Sequence, residues 1–347
     1  MNRCQPDMFV AALIGTVFAA TFLPCRGASA QVFGLLGSLS IGALFFLQGA
    51  RLSRTAMIAG LTHWRLHLAI AGTTFLMFPV IGSTLIALFP RAMSQTLWLG
   101  VLFVCALPST VQSSIALTSI ARGNVAGAIC AATASNLAGL VLVPILFGIM
   151  AHLHGGVLHM TGVSKILVGL LLPFITGHLM QPWIGSWTKR NRAVLAITDR
   201  GSILLVVYTA FSAAVVQGIW NQLAPVTFVT VCLIDAVLLI TAVLVTRTVS
   251  RTLGFDHADE VAAVFCGSQK SLVSGIPMAS VLFAGPTMGL VVLPIMIYHP
   301  MQLLVCAWLA RRYTSATNAG LALSKAPIPG GSPDRARGSS DVEPIFR

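Results

Sequence analysis

The sequence predicts an all-α polytopic membrane protein in which ten transmembrane helices form a five-plus-five inverted repeat. Of the 347 residues, 56% are hydrophobic and only 9% are charged, whereas soluble domains carry about 25% charged residues. In addition, ten apolar windows are long enough to cross a bilayer, which takes about 17–25 residues. We place them at 8–25, 29–50, 64–89, 95–121, 124–150, 164–184, 201–220, 225–247, 257–284 and 286–311.

The first apolar window also has features of a signal peptide. A basic residue, Arg3, precedes it, and Ala28-Ser29-Ala30 follows it. However, its apolar run from Met8 to Pro24 is longer than the usual signal-peptide core of about 7–15 residues, and Asp7 adds an acidic group before it. We therefore expect a retained first span.

The basic residues predict how the spans are oriented. With ten spans, both termini lie on the same side of the membrane. Only Arg26, Arg91 and Lys165 fall on the other side, and Lys270 falls inside a span, so the remaining lysines and arginines share the side of the termini. Because cytoplasmic loops are enriched in Lys and Arg, we expect an integral protein of the bacterial inner membrane with both termini in the cytoplasm. The net charge of +12 then reflects this topology rather than nucleic-acid binding.

A weak internal repeat relates windows four and nine. Val104-Cys105-Ala106 before Pro108 aligns with Phe265-Cys266-Gly267 before Gln269. Because each half would hold five spans, an odd number, the two halves insert with opposite orientations. An inverted repeat with a broken helix at the same place in each half is typical of secondary transporters.

The predicted organisation is therefore two halves followed by a tail. Spans one to five form the first half, 1–150, and spans six to ten form the second half, 151–313. Residues 314–347 are rich in Ser, Pro, Gly and Arg and lack apolar periodicity. We expect them to form a disordered cytoplasmic tail.

Each predicted break leaves one half-helix with exposed carbonyl groups and a second half-helix with free N–H groups. Where such ends cross in the middle of the bilayer, they provide sites for a cation and for an anion. For window four, the alternative is that Pro108 only kinks the helix and the hydroxyl groups bond back to its backbone. The candidate binding residues are Ser109, Thr110, Gln112, Ser113 and Ser114 in window four, and Ser268, Gln269, Lys270 and Ser271 in window nine.

Polar residues in neighbouring spans complete the candidate site. Span five contributes Thr133, Ser135 and Asn136, and Asn136 either bonds across to span four or joins helices without a further role. Lys270 would lie near the bilayer midplane, where a charge is expensive. Asp235 lies at a similar depth in span eight, so we hypothesise that it pairs with Lys270 or alternates with it in a proton step. The alternative is a protonated carboxyl group that bonds a neighbouring backbone or hydroxyl group.

Several functional classes lack their sequence signatures. The seven cysteines form no CxxC pair, so neither a disulfide framework nor a zinc site is indicated. The chain contains no P-loop, HExxH or GxSxG pattern, which argues against ATP-driven transport and against an intramembrane enzyme. We therefore expect no enzymatic activity, no metal site and no cofactor, with Na⁺ considered only as a coupling ion.

Motifs in both halves carry a resemblance to a known family. They are similar to the sodium/bile acid symporter superfamily, and in particular to its divergent bacterial branch related to the seventh member of the animal solute carrier 10 family. The resemblance covers roughly residues 8–313. The motifs are Leu-Pro-Ser-Thr-Val-Gln-Ser-Ser-Ile at 107–115, Ala-Arg-Gly-Asn at 121–124, Phe-Cys-Gly-Ser-Gln-Lys-Ser-Leu at 265–272, Gly-Ile-Pro-Met at 275–278 and Phe-Phe-Leu-Gln-Gly at 45–49.

This resemblance implies a panel of spans one, two, six and seven and a core of spans three to five and eight to ten. Broken helices four and nine would cross within the core, and the solute would bind between panel and core. The chain departs from sodium-coupled relatives at several positions. It has Phe265 where they place a glutamate, Thr74 where they place a glutamine and Lys270 where they place an asparagine. The resemblance therefore does not imply two-sodium coupling.

We predict that the chain is a secondary transporter that moves a small organic anion by alternating access, with sodium or protons as the coupling ion. Its expected partners are this solute and the lipid bilayer, and no nucleic acid. The alternative is a non-transporting membrane regulator or sensor that keeps the transporter fold.

Overall fold

The computed structural model describes residues 8–51, 63–153, 170–218, 224–283 and 287–324, and these residues are helical with no β-strand. The helices are α1 (Met8–Phe22), α2 (Ala28–Arg51), α3 (Trp64–Leu88), α4 (Gln95–Ala106), α5 (Gln112–Ile120), α6 (Val125–Leu153), α7 (Leu172–Leu179), α8 (Gln181–Arg190), α9 (Arg192–Val216), α10 (Pro225–Thr252), α11 (His257–Ser268), α12 (Leu272–Leu282) and α13 (Thr287–Ser324).

Six of the described helices are long and apolar enough to cross a membrane, namely α2, α3, α6, α9, α10 and α13. Two shorter apolar helices, Ala11–Phe22 within α1 and Gln95–Ala106, are below that length. The all-α membrane architecture is thus confirmed for the part of the chain that the structure describes. The count of ten spans and their inverted symmetry stay predictions.

Windows four and nine are both interrupted, as the sequence predicts. In window four, α4 ends at Ala106 and α5 begins at Gln112. Pro108 lies between them and has no N–H group with which to continue the helix. In window nine, α11 ends at Ser268 and α12 begins at Leu272. We call residues 107–111 the first break and residues 269–271 the second break.

The helices pack in two groups. The first packing group contains α1, α2, α7, α8 and α9, and the second contains α3 to α6 and α10 to α13. In the first group, α2 and α7 approach so closely that a Cβ atom on Gly49 would collide with the Phe174 carbonyl group. The same group contains an ion pair of 2.6 Å between Arg51 of α2 and Asp199 of α9. Helix α9 also packs against α12 and α13 of the second group.

Helix α4 lies at the centre of the second packing group. Its residues Gly100 to Ala106 are all buried, and it packs against α3, α6 and α13. A hydroxyl cap begins it, because the Ser94 side chain accepts a hydrogen bond from the Leu97 amide. The first break follows directly, so the polar groups of that break start from the middle of a buried core.

Two boundaries differ most from the predicted windows among the described residues. Helix α13 continues to Ser324, so the predicted start of the tail at residue 314 falls inside a helix, and residues 325–347 lie outside the described part of the chain. Helix α9 begins at Arg192 rather than at residue 201, because polar residues at the membrane surface continue a helix that an apolar window omits. The early part of window six also lies outside the described residues.

Candidate functional site at the two helix breaks

The two breaks touch each other inside the second packing group. The Ser271 amide of the second break donates a hydrogen bond of 2.9 Å to the Pro108 carbonyl of the first. Glycines make room for this contact. A Cβ atom on Gly139 would lie 2.9 Å from Pro108, and one on Gly275 would lie 2.7 Å from Leu107. Larger residues at either glycine would push the first break out of place.

Helix α6 holds the first break through a serine and an asparagine. The Ser109 amide donates to the Ser135 hydroxyl at 3.1 Å, and the Asn136 amide group donates to the Ser109 carbonyl at 2.7 Å. Asn136 also accepts a hydrogen bond of 2.7 Å from the Ser274 hydroxyl on α12. The predicted bond from Asn136 across to span four is therefore present. A second bond connects Asn136 to α12, the second half of the broken span nine.

Three hydroxyl groups, one from the first break and two from the first turn of α5, converge on one oxygen atom of the second break. Gln269 Oε1 lies 2.5 Å from Thr110 Oγ1, 2.8 Å from Ser113 Oγ and 3.1 Å from Ser114 Oγ. Gln269 is fully buried. Its Nε2 has no hydrogen-bond partner among the described residues, although the weakly accepting Cys306 sulfur lies close to it. We call Thr110, Ser113, Ser114 and Gln269 the hydroxyl–amide cluster.

Lys270 is fully buried and points into backbone carbonyl groups. Its Nζ donates to the carbonyl oxygens of Leu107 at 2.8 Å, Thr74 at 2.9 Å and Cys105 at 3.1 Å. The same nitrogen lies 3.9 Å from the centre of the Phe78 ring. A lysine at the centre of a membrane helix costs about 2.5–3.5 kcal/mol, whereas each hydrogen bond to a charged group contributes about 1.5–3 kcal/mol. Three such bonds therefore offset part of this cost.

Helix α13 holds the second break. The Gln302 side chain accepts from the Lys270 amide at 2.7 Å and donates to the Lys270 carbonyl at 2.8 Å. His299 Nδ1 lies 3.0 Å from the same Gln302 amide group. One turn earlier, the Tyr298 hydroxyl donates to the Ser268 carbonyl at 2.8 Å. Side chains of α13 therefore satisfy the Lys270 peptide groups of the second break and the Ser268 carbonyl at the end of α11.

Sequence reasoning did not select Tyr298, Gln302 or Phe78 for this site. The signal for Gln302 is present, because an amide side chain inside an apolar span requires a hydrogen-bond partner there. For Phe78 there is no such signal, since a phenylalanine in a membrane span is ordinary. Its contact with Lys270 depends on how α3 and the second break are placed in space.

Asp235 does not pair with Lys270 in this structure. The described residues contain no ion pair between the two, because all three N–H bonds of the ammonium group already point at carbonyl oxygens. Asp235 itself is fully buried, and neither carboxyl oxygen has a hydrogen-bond partner among the described residues. The alternative bond to a neighbouring backbone or hydroxyl group is therefore not formed either.

The remaining candidates differ in their contacts. Ser271 caps α12, since its hydroxyl accepts from the Ser274 amide at 3.1 Å. The hydroxyl groups of Thr133 and Ser268 bond back to carbonyls of their own helices at 2.7 Å and 2.6 Å. Gln112 is exposed at the start of α5. These last three side chains are not part of the contact between the breaks.

The sequence of this chain is similar to those of known and named transporter proteins. Residues 7–315 match the model of the SBF-like CPA transporter family. An uncharacterized protein of Pseudomonas aeruginosa, PA2026, is 50% identical over 94% of this chain and 98% of its own length. YfeH of Escherichia coli, which is named as a candidate symporter, is 48% identical over 90% of this chain and 94% of its own length.

A more distant relative connects the chain to animal proteins. Rat sodium/bile acid cotransporter 7 is 29% identical over 88% of this chain and 92% of its own length. The resemblance to the sodium/bile acid symporter superfamily is thereby confirmed. Because the family model covers nearly all of the described helices, the chain belongs to the SBF-like CPA transporter family.

Proposed function

We propose that this chain is a secondary transporter that moves a small organic anion across the membrane by alternating access. The observation that carries the proposal is the contact between the two helix breaks, in which buried polar groups from distant parts of the sequence face each other in an apolar core. Such breaks serve as binding sites near the bilayer midplane in secondary transporters. The names of YfeH and the rat cotransporter support symport.

The start of α5 is the best place for the charged group of the solute. Amide groups of the first turn of a helix have no partner within that helix and attract anions. At this position Gln112 is exposed and Ser113 is half-buried, so a solute that approaches from the side has access. The hydroxyl–amide cluster includes Ser113 and Ser114 of this same turn and offers both donors and acceptors. Lys270 adds a positive charge next to Gln269 in the chain.

The two packing groups provide the moving parts. In our proposal the first packing group is the panel and the second is the core, and the solute is enclosed between them. The core carries both breaks and is tied together by side-chain bonds to α6 and α13. It can therefore move as a unit while the contacts of α9 with α12 and α13 change. Both termini would face the cytoplasm, with the protein in the bacterial inner membrane.

In our proposal, a different group of side chains serves each of the two candidate coupling ions. The hydroxyl–amide cluster presents neutral oxygen atoms, which is the ligand chemistry of Na⁺ rather than of a proton. Asp235 is a buried carboxyl group without hydrogen-bond partners among the described residues, which is a suitable carrier for a proton. If protons are the coupling ion, we assign them to Asp235, and if sodium is the coupling ion, we assign it to the hydroxyl–amide cluster; the test below separates the two.

The test combines a binding screen with flux into proteoliposomes. Purified protein is first screened for thermal stabilisation by mono- and dicarboxylates, sulfonates and conjugated bile acids. The best ligand is then measured as labelled solute entering liposomes under four conditions, with and without a sodium gradient and with and without a pH gradient. We expect at least one gradient to drive accumulation. A ligand that binds but never crosses the membrane would favour the regulator or sensor alternative.

The variant Asp235→Asn identifies the coupling ion. Asparagine keeps the shape of the side chain and cannot carry the proton. If protons are coupled through Asp235, uptake driven by the pH gradient is lost while solute binding is retained. If the pH gradient drives Asp235→Asn as well as it drives the unmodified protein, proton coupling at this residue is wrong.

A further inference from the structure

The Lys270 ammonium group lies in a complete cage of backbone oxygen atoms. We define the carbonyl cage as the carbonyl oxygens of Thr74, Cys105 and Leu107 together with the face of the Phe78 ring. The three oxygens lie 2.8–3.1 Å from Nζ, and the ring centre lies 3.9 Å away. An ammonium group has three donors and all three are used. In the described part of the chain, no carboxylate lies within ion-pair distance of this nitrogen.

The Thr74 carbonyl has no partner within its own helix because α3 contains a π-helical turn. This turn runs from Thr73 to Met77, and in it the Phe78 amide bonds to the Thr73 carbonyl. In a regular α-helix, the same amide would bond to Thr74. The next residue that could replace it is Pro79, which has no N–H group. A π-turn followed by proline therefore leaves one carbonyl oxygen inside the core without a helical partner.

The carbonyls of Cys105 and Leu107 have no helical partner because α4 ends inside the core. The amide that would bond to the Cys105 carbonyl in a continued helix belongs to Ser109, and it donates to Ser135 instead. The Leu107 carbonyl lies beyond the last residue of α4, which is Ala106. The Cys105 oxygen carries the partial negative charge of a helix C-terminus, which attracts a cation, and the Leu107 oxygen belongs to the extended residue that caps this helix end.

The cage has the composition of a site for a monovalent cation. Backbone carbonyl oxygens at the ends of interrupted helices replace the hydration shell of alkali ions, and an aromatic face attracts ammonium and alkylammonium groups. Two separate interruptions, the π-turn in α3 and the end of α4, supply its oxygens. All three donors of Lys270 meet carbonyls that lack a helical partner. If Lys270 only filled space in the core, this match would not be needed.

We propose that the carbonyl cage is a binding site for a monovalent cation or primary alkylammonium ion and that the side chain of Lys270 is its built-in occupant. While the lysine is present, this site takes no free cation. When the amine is removed, the cage binds one from solution. The proposal depends on the surroundings of Nζ and not on the identity of the solute, so it can fail while the proposed transport function stands.

The test removes the amine and adds it back as a free ion. The variant Lys270→Ala lacks three methylene groups and the ammonium group, which together correspond to n-propylammonium. Purified full-length protein in detergent is heated in the chlorides of n-propylammonium, methylammonium, ammonium, sodium and potassium at equal ionic strength, with choline chloride as a reference ion too large for the cage. The apparent melting temperature is read from the loss of the monodisperse peak in size-exclusion chromatography after heating.

Two controls separate cation binding from space filling. The first is the neutral alcohol 1-propanol at the same concentration, which has the length of n-propylammonium without the charge. The second is the variant Lys270→Met, whose thioether side chain fills the same space and leaves no room for an ion. The unmodified protein, in which the cage is already occupied, completes the set.

We expect n-propylammonium to raise the melting temperature of Lys270→Ala by at least about 3 °C over choline, with smaller shifts for the other cations. No such shift is expected for 1-propanol, for Lys270→Met or for the unmodified protein. Equal effects of the alcohol and the ammonium ion would overturn the proposal, as would a variant that is indifferent to every cation. If Lys270→Ala cannot be recovered folded in any of these salts, the proposal is wrong as well, because the cage should then have accepted a free cation.

Discussion

The first and second breaks resemble each other in sequence, yet they contribute different groups to the carbonyl contacts between them. The first break and the end of α4 supply acceptors, which are the carbonyl oxygens of Cys105, Leu107 and Pro108. The second break supplies the donors that reach them, which are the Lys270 ammonium group and the Ser271 amide. Breaks that are related in sequence therefore need not have the same binding chemistry. Here the donors of the second break bind the carbonyl acceptors at the first.

The two breaks are also held by different chemistry. The first is fixed by Ser135 and Asn136 of α6, which each take one bond from or to Ser109. In the second break, a single side chain, Gln302 of α13, binds both the amide and the carbonyl of Lys270. The Lys270 peptide groups therefore depend on one residue of a neighbouring helix, whereas those of Ser109 depend on two. The following variants test this difference, beginning with the one of largest expected effect.

Reversing the charge at position 270 should disrupt the fold. In Lys270→Glu, a carboxylate would face the carbonyl oxygens that now surround the ammonium group, so acceptors meet acceptors. We expect a destabilisation of about 3–5 kcal/mol or more and loss of the monodisperse peak in size-exclusion chromatography of a fluorescent fusion. Arg311→Glu, at an exposed position, is the matched control and should keep the peak. A normal peak for Lys270→Glu would contradict the donor role of the second break.

Replacing Gln302 with leucine should be the next most damaging change. It leaves the Lys270 amide and carbonyl without partners in a buried position, and we expect a loss of about 2–4 kcal/mol in the free energy of unfolding. The first break offers a matched control in Gln112, whose side chain is exposed. Gln112→Leu should change the thermal midpoint little. Similar midpoints for the two variants would show that Gln302 does not hold the second break.

Replacing Asn136 with leucine should have an intermediate effect. It removes the bond to the Ser109 carbonyl and the bond from the Ser274 hydroxyl, but Ser135 still holds the first break. We expect a loss of about 1–3 kcal/mol, measured as the thermal midpoint in detergent. Thr133→Val, one turn earlier on α6, removes only a bond within that helix and should change the midpoint less. An equal effect of both variants would mean that the link between α6 and the first break adds no stability.

The sequence predicts the breaks better than it predicts their contacts. Pro108 and the polar run 268–271 interrupt apolar windows, and this pattern suffices to locate both interruptions. Asn136 could also be selected, because an amide in a membrane span needs a partner. The direction of the Lys270 side chain could not, since it depends on carbonyl groups and every residue has one. Which of them lack partners follows from the π-turn in α3, and that turn has no clear signature in the sequence.

The hypothesised pair of Asp235 and Lys270 illustrates the same limit. Opposite charges at one depth in a membrane favour pairing, and sequence reasoning has no further information about depth or direction. In the structure, backbone oxygens at the end of α4 replace the carboxylate as partners of the lysine. Helix ends carry partial charges that composition does not count. A prediction from side chains alone therefore overlooks the strongest acceptors in this core.

The smallest effect should come from removing one hydroxyl group beside the second break. Tyr298→Phe keeps the ring and deletes only the bond to the Ser268 carbonyl, and hydrogen bonds between membrane helices contribute about 0.6 kcal/mol on average. Because the Tyr298 side chain is fully buried, no water can replace this donor. Tyr208→Phe, which deletes an exposed bond to the Leu23 carbonyl, is the matched control and should leave the thermal midpoint unchanged. If Tyr298→Phe lowers the midpoint as much as Gln302→Leu does, the second break depends on both side chains equally, and the contrast with the doubly held first break is lost.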